Sequence, residues 1–337
     1  MASASKSGAV SVNRVKATSA VGANALEEAT IGFQLTKAVF MSAKDAQRTR
    51  IATAPGFIAA LDQSGGSTPK ALQQYGVEPS DYSGDAEMYA AVHAMRSRII
   101  LSDPFTSEKV LGAILFERTM DSDINGKPTA QILWEERGVV PFLKIDKGLA
   151  DEANGVQLLK PMPDLDALLA KANEKGIFGT KERSLILEAN AQGIADVVAQ
   201  QFEVAKQVAA AGLVPIVEPE VHIDSATKAE AEGILESEIM NHLNDLPDGV
   251  DVILKLTIPT KAGLYDAAAD HPRVLRVVAL SGGYSTNKAC DLLSQNHKMI
   301  ASFSRALAEG LSVKMSDAEF DAALGRNIDQ IFAASVA

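Results

Sequence analysis

The sequence predicts an α/β protein, a single (β/α)8 TIM barrel, on three observations. Eight short apolar runs recur between residues 57 and 304, and longer amphipathic stretches separate them, the alternation of a protein with a parallel sheet. A polar or ionisable residue also stands at or beside the C-terminal end of nearly every run, on the face where barrels of this kind assemble their sites. The runs are 57–62, 111–116, 140–145, 178–185, 214–218, 252–256, 274–280 and 300–304. Helices between them carry recognisable ends. Residues 164–175 open at the acidic Asp164 and stop at Gly176. Residues 193–211 place Ile194, Val197, Val198, Ala205 and Val208 near helical spacing and stop at Gly212. Ser316 with Glu319 has the spacing of a capping box and opens a last helix.

Bulk properties narrow the function. At 337 residues the chain suits one large barrel, and 47% hydrophobic residues supply its core. No apolar run approaches ~18 residues, so no membrane-spanning helix is expected. A net charge of -11 disfavours nucleic acid as a partner. The single Cys290 excludes an internal disulfide framework and fits a reducing compartment, with cytoplasm the expected location. The five histidines show no paired ligand spacing, so neither a metal nor another cofactor is expected. Residues 1–30 stand apart from the barrel domain expected over 31–337. They are rich in Ala and Ser, carry Lys6, Arg14 and Lys16, and have no acid before Glu27. That composition fits a disordered extension or an organelle-targeting segment, the latter making a plastid the alternative location. Barrels with apolar outer helix faces often associate, which leaves a homo-oligomer open.

Lys255 carries the most chemical information. It sits inside the apolar run Val250-Asp-Val-Ile-Leu-Lys-Leu-Thr-Ile-Pro259, where an ammonium is costly to bury unless something compensates. An amine in an enclosed, partly dry site loses its proton more easily and becomes nucleophilic towards a carbonyl; a lysine snorkelling to solvent is the plain alternative. The other strand-end residues are Asp62, Lys144, Lys181 with Arg183, Glu218 with Glu220, Ser281 and Arg305. Cations around one lysine are expected to lower its pKa by like-charge repulsion, and carboxylates to move protons. The same cations suit a phosphorylated substrate with a ketone, for which an iminium is an electron sink for C–C cleavage. Two turns fit phosphate: Leu280-Ser-Gly-Gly283, whose successive N–H groups can form an anion nest, and Asp62-Gln-Ser-Gly-Gly-Ser67.

These motifs resemble those of class I fructose-bisphosphate aldolases, most closely the short bacterial-type members. The likeness rests on Ala60-Leu-Asp-Gln-Ser-Gly-Gly-Ser67, Lys144-Ile-Asp-Lys-Gly148, Val214-Pro-Ile-Val-Glu-Pro-Glu220, Ile253-Leu-Lys-Leu256, Leu280-Ser-Gly-Gly283 and Phe303-Ser-Arg-Ala-Leu307. The resemblance implies that Lys255 forms the Schiff base, that Glu218 is the acid/base helping to dehydrate the carbinolamine, and that Asp62 lies close to the lysine and the bond cleaved. It implies that Lys181 supplies charge and assists proton transfer beside Arg183, with Glu220 holding these groups. One phosphate of a sugar bisphosphate would meet Ser281, Gly282, Gly283, Ser304 and Arg305; the other would lie near Ser67, Lys70 and Lys144. Three departures stand out. Gln63 occupies the place of a second acid in animal-type enzymes, Ser304 the place of a glycine, and the chain ends without their terminal tyrosine. The resemblance also leaves rivals: another Schiff-base barrel that is transaldolase-like, deoxyribose-phosphate aldolase-like or uses sedoheptulose bisphosphate, and a catalytically silent scaffold.

Overall fold

The structure is a computed structural model that describes residues 42–64 and 68–337. The extension at residues 1–30 and Ser67 lie outside the described residues. Contacts part the chain after Asp45, and residues 46–337 are described by themselves as one unit.

Eight parallel strands pair in chain order: β1 (Phe57–Leu61), β2 (Val110–Leu115), β3 (Val140–Lys144), β4 (Gly179–Ile186), β5 (Val214–Val221), β6 (Val252–Thr257), β7 (Val274–Leu280) and β8 (Met299–Ala301). Strand β1 is buried along its whole length, as are β2 and β6, because helices cover one face and the barrel interior the other. That double burial is why these strands read as unbroken apolar runs. Beyond β8, the Ala60 N–H donates to the Phe303 carbonyl at 3.3 Å, bringing the last strand's continuation back to the first and nearly closing the barrel.

Most strand ends fall within one residue of expectation, and the two larger differences have a physical reason. β5 runs on past Glu218 to Val221, since its pairing with β4 continues through Pro219, whose missing N–H the parallel ladder tolerates here. β8 stops at Ala301 rather than 304. Ser302 makes one more bond, its N–H to the Ala279 carbonyl at 2.7 Å, and the chain then turns helical at Ser304.

The barrel interior is filled from its N-terminal end by Ile58, Leu111, Phe142, Phe178, Ile216, Ile253, Val278 and Ile300, with Ile51 inserted from helix α1 (Ala43–Thr53). The rings of Phe142 and Phe178 meet edge to face, their centroids 5.5 Å apart. Gly179 makes room for them: a Cβ there would lie 2.1 Å from the Val214 carbonyl oxygen and 2.9 Å from the Phe142 ring. Arg276 seals this end by donating to the carbonyls of Ile51 and Ala54, both at 2.9 Å.

Among the covering helices, α2 (Thr68–Gln74) and α3 (Gly84–Leu101) follow β1, and α4 (Leu165–Glu174) precedes β4. Asp164 occupies the N-cap of α4 as expected, yet its side chain makes no capping bond. Helix α5 (Ala191–Ala210) starts two residues earlier than expected because Asn190 caps it, accepting from the Gly193 N–H. Its Ile194, Val197, Val198, Phe202, Ala205 and Val208 are all buried. Helices α6 (Lys228–Asn244), α7 (Asp266–Ala269), α8 (Thr286–Leu293) and α9 (Arg305–Ala308) continue the layer. The last, α10 (Asp317–Ser335), opens with the expected capping box between Ser316 and Glu319. No described helix is long and apolar enough to cross a membrane.

Candidate active site

Side chains two apart along a strand share a face, and this places the ionisable groups inside the barrel. Each of several strands contributes an apolar residue to the interior and then, further towards its C-terminal end, a charged one on the same face. Ile253 of β6 is followed by Lys255, Ile216 of β5 by Glu218 and Glu220, Gly179 of β4 by Lys181 and Arg183, and Phe142 of β3 by Lys144. Ala60 of β1 is followed by Asp62. The register sets them level: Lys144 pairs with Lys181, and Arg183 with Glu218. The core floor thus grades into a charged mouth without any change of fold.

Lys255 is 4% exposed, and its Nζ lies 3.1 Å from Glu218 Oε1. Lys181, equally buried, places its Nζ 3.0 Å from Glu218 Oε2 and 2.6 Å from Asp62 Oδ2. Glu218 therefore bridges two lysines, and Lys181 bridges two carboxylates. Arg183 bonds Glu220 through its Nε. Burial by itself would raise the Asp62 carboxyl, but the charges of Lys181 and Lys255 outweigh it and hold Asp62 well below the usual carboxylate range. Burial would likewise strip Lys181 of its proton, and Asp62, Glu218 and Asp146 reverse that, raising its pKa so that it stays an ammonium.

This arrangement corrects one expectation. Lys255 was expected to stand among cations, yet its ion-pair partner is a carboxylate and the neighbouring ammonium is neutralised by two more contacts. Glu218, 3.1 Å from the Lys255 amine, is the group placed to exchange a proton with it. Strand-end positions alone could not reveal this, because they give no distances between carboxylates and lysines.

One cavity of about 510 Å³ gathers Asp62, Lys144, Lys181, Arg183, Glu218, Glu220, Lys255, Ser281, Gly282, Ser304 and Arg305. Lys70 and Gly283 instead line an adjoining cavity of about 630 Å³, which shares Gln63 and Arg305 with the first. Lys70 thus stands on the Arg305 side and not beside Lys144. The turn after β7 has positive φ at Gly282 (59°) and Gly283 (131°). Side chains there would strike Ile223, with Cβ atoms 2.6 and 2.9 Å from its carbons. The Tyr284 N–H closes the turn on the Ser281 carbonyl at 3.0 Å.

Sequence reasoning missed three residues. Asp146 lines the cavity and takes Lys144 Nζ at 2.6 Å on Oδ1, which also accepts from the Gly148 N–H. Arg96, wholly buried on α3, donates to Thr119 Oγ1 at 2.7 Å and to the Gln63 carbonyl. Glu182 is buried on the opposite face of β4 from Lys181. Asp146 had a signal, since it stands within Lys144-Ile-Asp-Lys-Gly148; Arg96 had none, being one of two arginines in an ordinary-looking helical stretch.

The family model for class-I fructose-bisphosphate aldolase matches residues 44–254. The chain is 56% identical over 290 residues to the class 1 fructose-bisphosphate aldolase of Synechocystis sp., covering 86% of this chain and 97% of that protein. This chain belongs to the class I fructose-bisphosphate aldolase family. The family-model match takes in Asp62, Lys144, Lys181 and Glu218 and ends one residue before Lys255. Among solved structures, a fructose-bisphosphate aldolase from Plasmodium falciparum superposes with TM-score 0.71 at 20% identity, covering 87% of this chain and 95% of that one. A Corynebacterium glutamicum protein gives TM-score 0.50 at 11% identity, covering 91% of this chain and 97% of that one. Both likenesses speak to the barrel fold of the aldolase family member described here, and the Synechocystis relative to its family.

Proposed function

We infer that the chain is a class I fructose-bisphosphate aldolase, a metal-independent lyase cleaving fructose 1,6-bisphosphate reversibly to dihydroxyacetone phosphate and glyceraldehyde 3-phosphate. The observation that carries the residue assignment is the buried run Lys255–Glu218–Lys181–Asp62, in which each successive pair lies within 3.1 Å. Lys255 gives its proton to Glu218, and the free amine adds to the substrate ketone. Glu218 returns a proton to the carbinolamine oxygen, which leaves as water, and an iminium on Lys255 remains.

When the C3–C4 bond breaks, its electron pair moves into the iminium to form an enamine, and the C4 hydroxyl proton passes to the carboxylates as the aldehyde forms. Asp62 stays ionised across the working pH range and supplies a fixed negative charge beside the iminium. So acidic a carboxylate is a weak base, and Glu218, in contact with the Lys255 amine, is the group placed to carry the proton. Lys181 keeps two carboxylates together without mutual repulsion. Protonation of the enamine carbon and addition of water release dihydroxyacetone phosphate and restore the amine.

Ser281, Gly282 and Arg305 suit the phosphate on the ketone half, and Lys144 the phosphate on the aldehyde half. A bisphosphate therefore fits the cavity better than a monophosphate. Comparing initial cleavage rates of fructose 1,6-bisphosphate and fructose 1-phosphate, each with and without EDTA, tests this reading. We expect kcat/KM for the bisphosphate to exceed that for the monophosphate by at least about 100-fold, roughly 2.7 kcal/mol of transition-state binding, with EDTA causing no loss. Equal rates on the two sugars, or loss of activity in EDTA, would overturn it.

A further inference from the structure

Arg305 reaches the two cavities from the start of a short helix, and no ion pair or hydrogen bond commits its guanidinium among the described residues. Its immediate predecessor, Ser304, is tied down. Gln63 Nε2 donates to Ser304 Oγ at 2.5 Å, across the seam where β1 and β8 meet. Gln63 is oriented in turn from behind. Arg96 donates to its backbone carbonyl and approaches its Oε1 at 3.4 Å, while a second guanidinium nitrogen holds Thr119 Oγ1.

Arg96 is an unusual support. It is wholly buried, makes no ion pair among the described residues, and has its pKa lowered to about 10 by burial, with Asp62 only partly offsetting this. A buried guanidinium ordinarily recruits a carboxylate. Position 63 is the natural place for one, since Arg96 already contacts both its backbone and its side chain. A glutamate there would satisfy Arg96, yet it would also put a negative charge on the wall that Arg305 shares in both cavities.

We propose that Gln63 is the positioning residue that sets phosphate affinity at Arg305: its neutral amide, aimed by Arg96, fixes Ser304 and leaves the guanidinium free for an anion. This rests on the aldolase reading for the substrate's identity, but the anion-binding claim stands separately. Gln63 and Ser304, joined side chain to side chain, act as one matched pair.

The test uses the full chain and inorganic phosphate as the probe. Affinity is measured by calorimetry, alongside KM and kcat on fructose 1,6-bisphosphate and thermal melting, for wild type, Gln63→Glu, Gln63→Leu and Ser304→Ala. Gln63→Glu is expected to weaken phosphate binding at least about 10-fold and to raise KM similarly, with kcat changed less than about threefold and the melting temperature unchanged or higher. Ser304→Ala and Gln63→Leu should weaken phosphate binding about 3–10-fold, again through KM. A merely structural role would lower melting temperature and phosphate affinity together, so loss of both in Gln63→Glu refutes the proposal. Unaltered phosphate binding in Gln63→Glu or in Ser304→Ala also refutes it. Wild-type phosphate binding without cleavage of the bisphosphate would instead sink the aldolase reading and leave the phosphate comparison intact.

Discussion

Glu182 shows how costly a single residue can be on the strand that carries Lys181. It lies between Lys181 and Arg183, on the other face of β4, with neither carboxyl oxygen hydrogen-bonded among the described residues. Among the described residues, Thr180 Oγ1 and Ser184 Oγ of that face and both amide atoms of Gln201, on the helix that packs there, also lack partners. Burial first, then repulsion by Asp146 and Glu218, pushes the Glu182 pKa well above the carboxylate range, and nearby Lys181 only partly opposes this. The unfolded chain releases this proton near pH ~4.3, whereas the native chain keeps it to higher pH. Above the unfolded pKa the native state binds more protons, so stability falls as pH rises until the folded pKa is passed. Glu182→Gln should therefore raise the melting temperature by a few degrees at pH 8, and by distinctly less at pH 5. Thermal melts at the two pH values check this; an equal shift at both would show that ionisation of Glu182 is not involved.

At the scale of elements, the segment after β6 is pinned by the first turn of α6. Lys228 Nζ donates to the Ile258 carbonyl at 3.0 Å and to Thr260 Oγ1 at 3.1 Å, and pairs with Glu232. Glu232 Oε2 also accepts from the Thr260 N–H at 2.9 Å. Both charges are buried, so removing one strands the other. Glu232→Ala should cost roughly 3–5 kcal/mol in urea unfolding, while Lys228→Met with Glu232→Leu should recover most of it. If the double variant is no more stable than the single, the loss does not come from an uncompensated charge.

This anchoring was invisible in the sequence, because a Lys and a Glu four apart on a helix look like a solvated pair. The strands were legible for the opposite reason. Burial on both faces makes β1, β2 and β6 plain apolar runs, whereas β4, Gly-Thr-Lys-Glu-Arg-Ser-Leu-Ile, is polar because its inward face supplies Lys181 and Arg183 to the mouth. The excursion between β3 and α4 carries no periodicity to read. It holds isolated bridges, such as Leu149 with Leu159, and the two-residue strand Val156–Gln157 pairing antiparallel to β4.

Across the whole molecule, the barrel turns eight separated stretches into one site. An apolar floor, plugged by Ile51, forces the inward faces of the strands to finish in groups that can hold charge only by pairing. That Lys255, Glu218, Asp62 and Lys181 belong to the strands or their ends was legible in the sequence. Their pairing was not, nor were the supporting roles of Arg96 and Asp146, since contacts between strands distant in sequence leave no mark on either one. Cleavage by this route requires Lys255 to condense with a ketone. Incubation with dihydroxyacetone phosphate and borohydride, followed by peptide mass spectrometry, tests that most directly. It should inactivate the enzyme and add the mass of the substrate less one oxygen to the peptide containing Lys255, with Lys255→Met folded, inactive and unlabelled. An unmodified Lys255 peptide in an enzyme that still cleaves the sugar bisphosphate would contradict it.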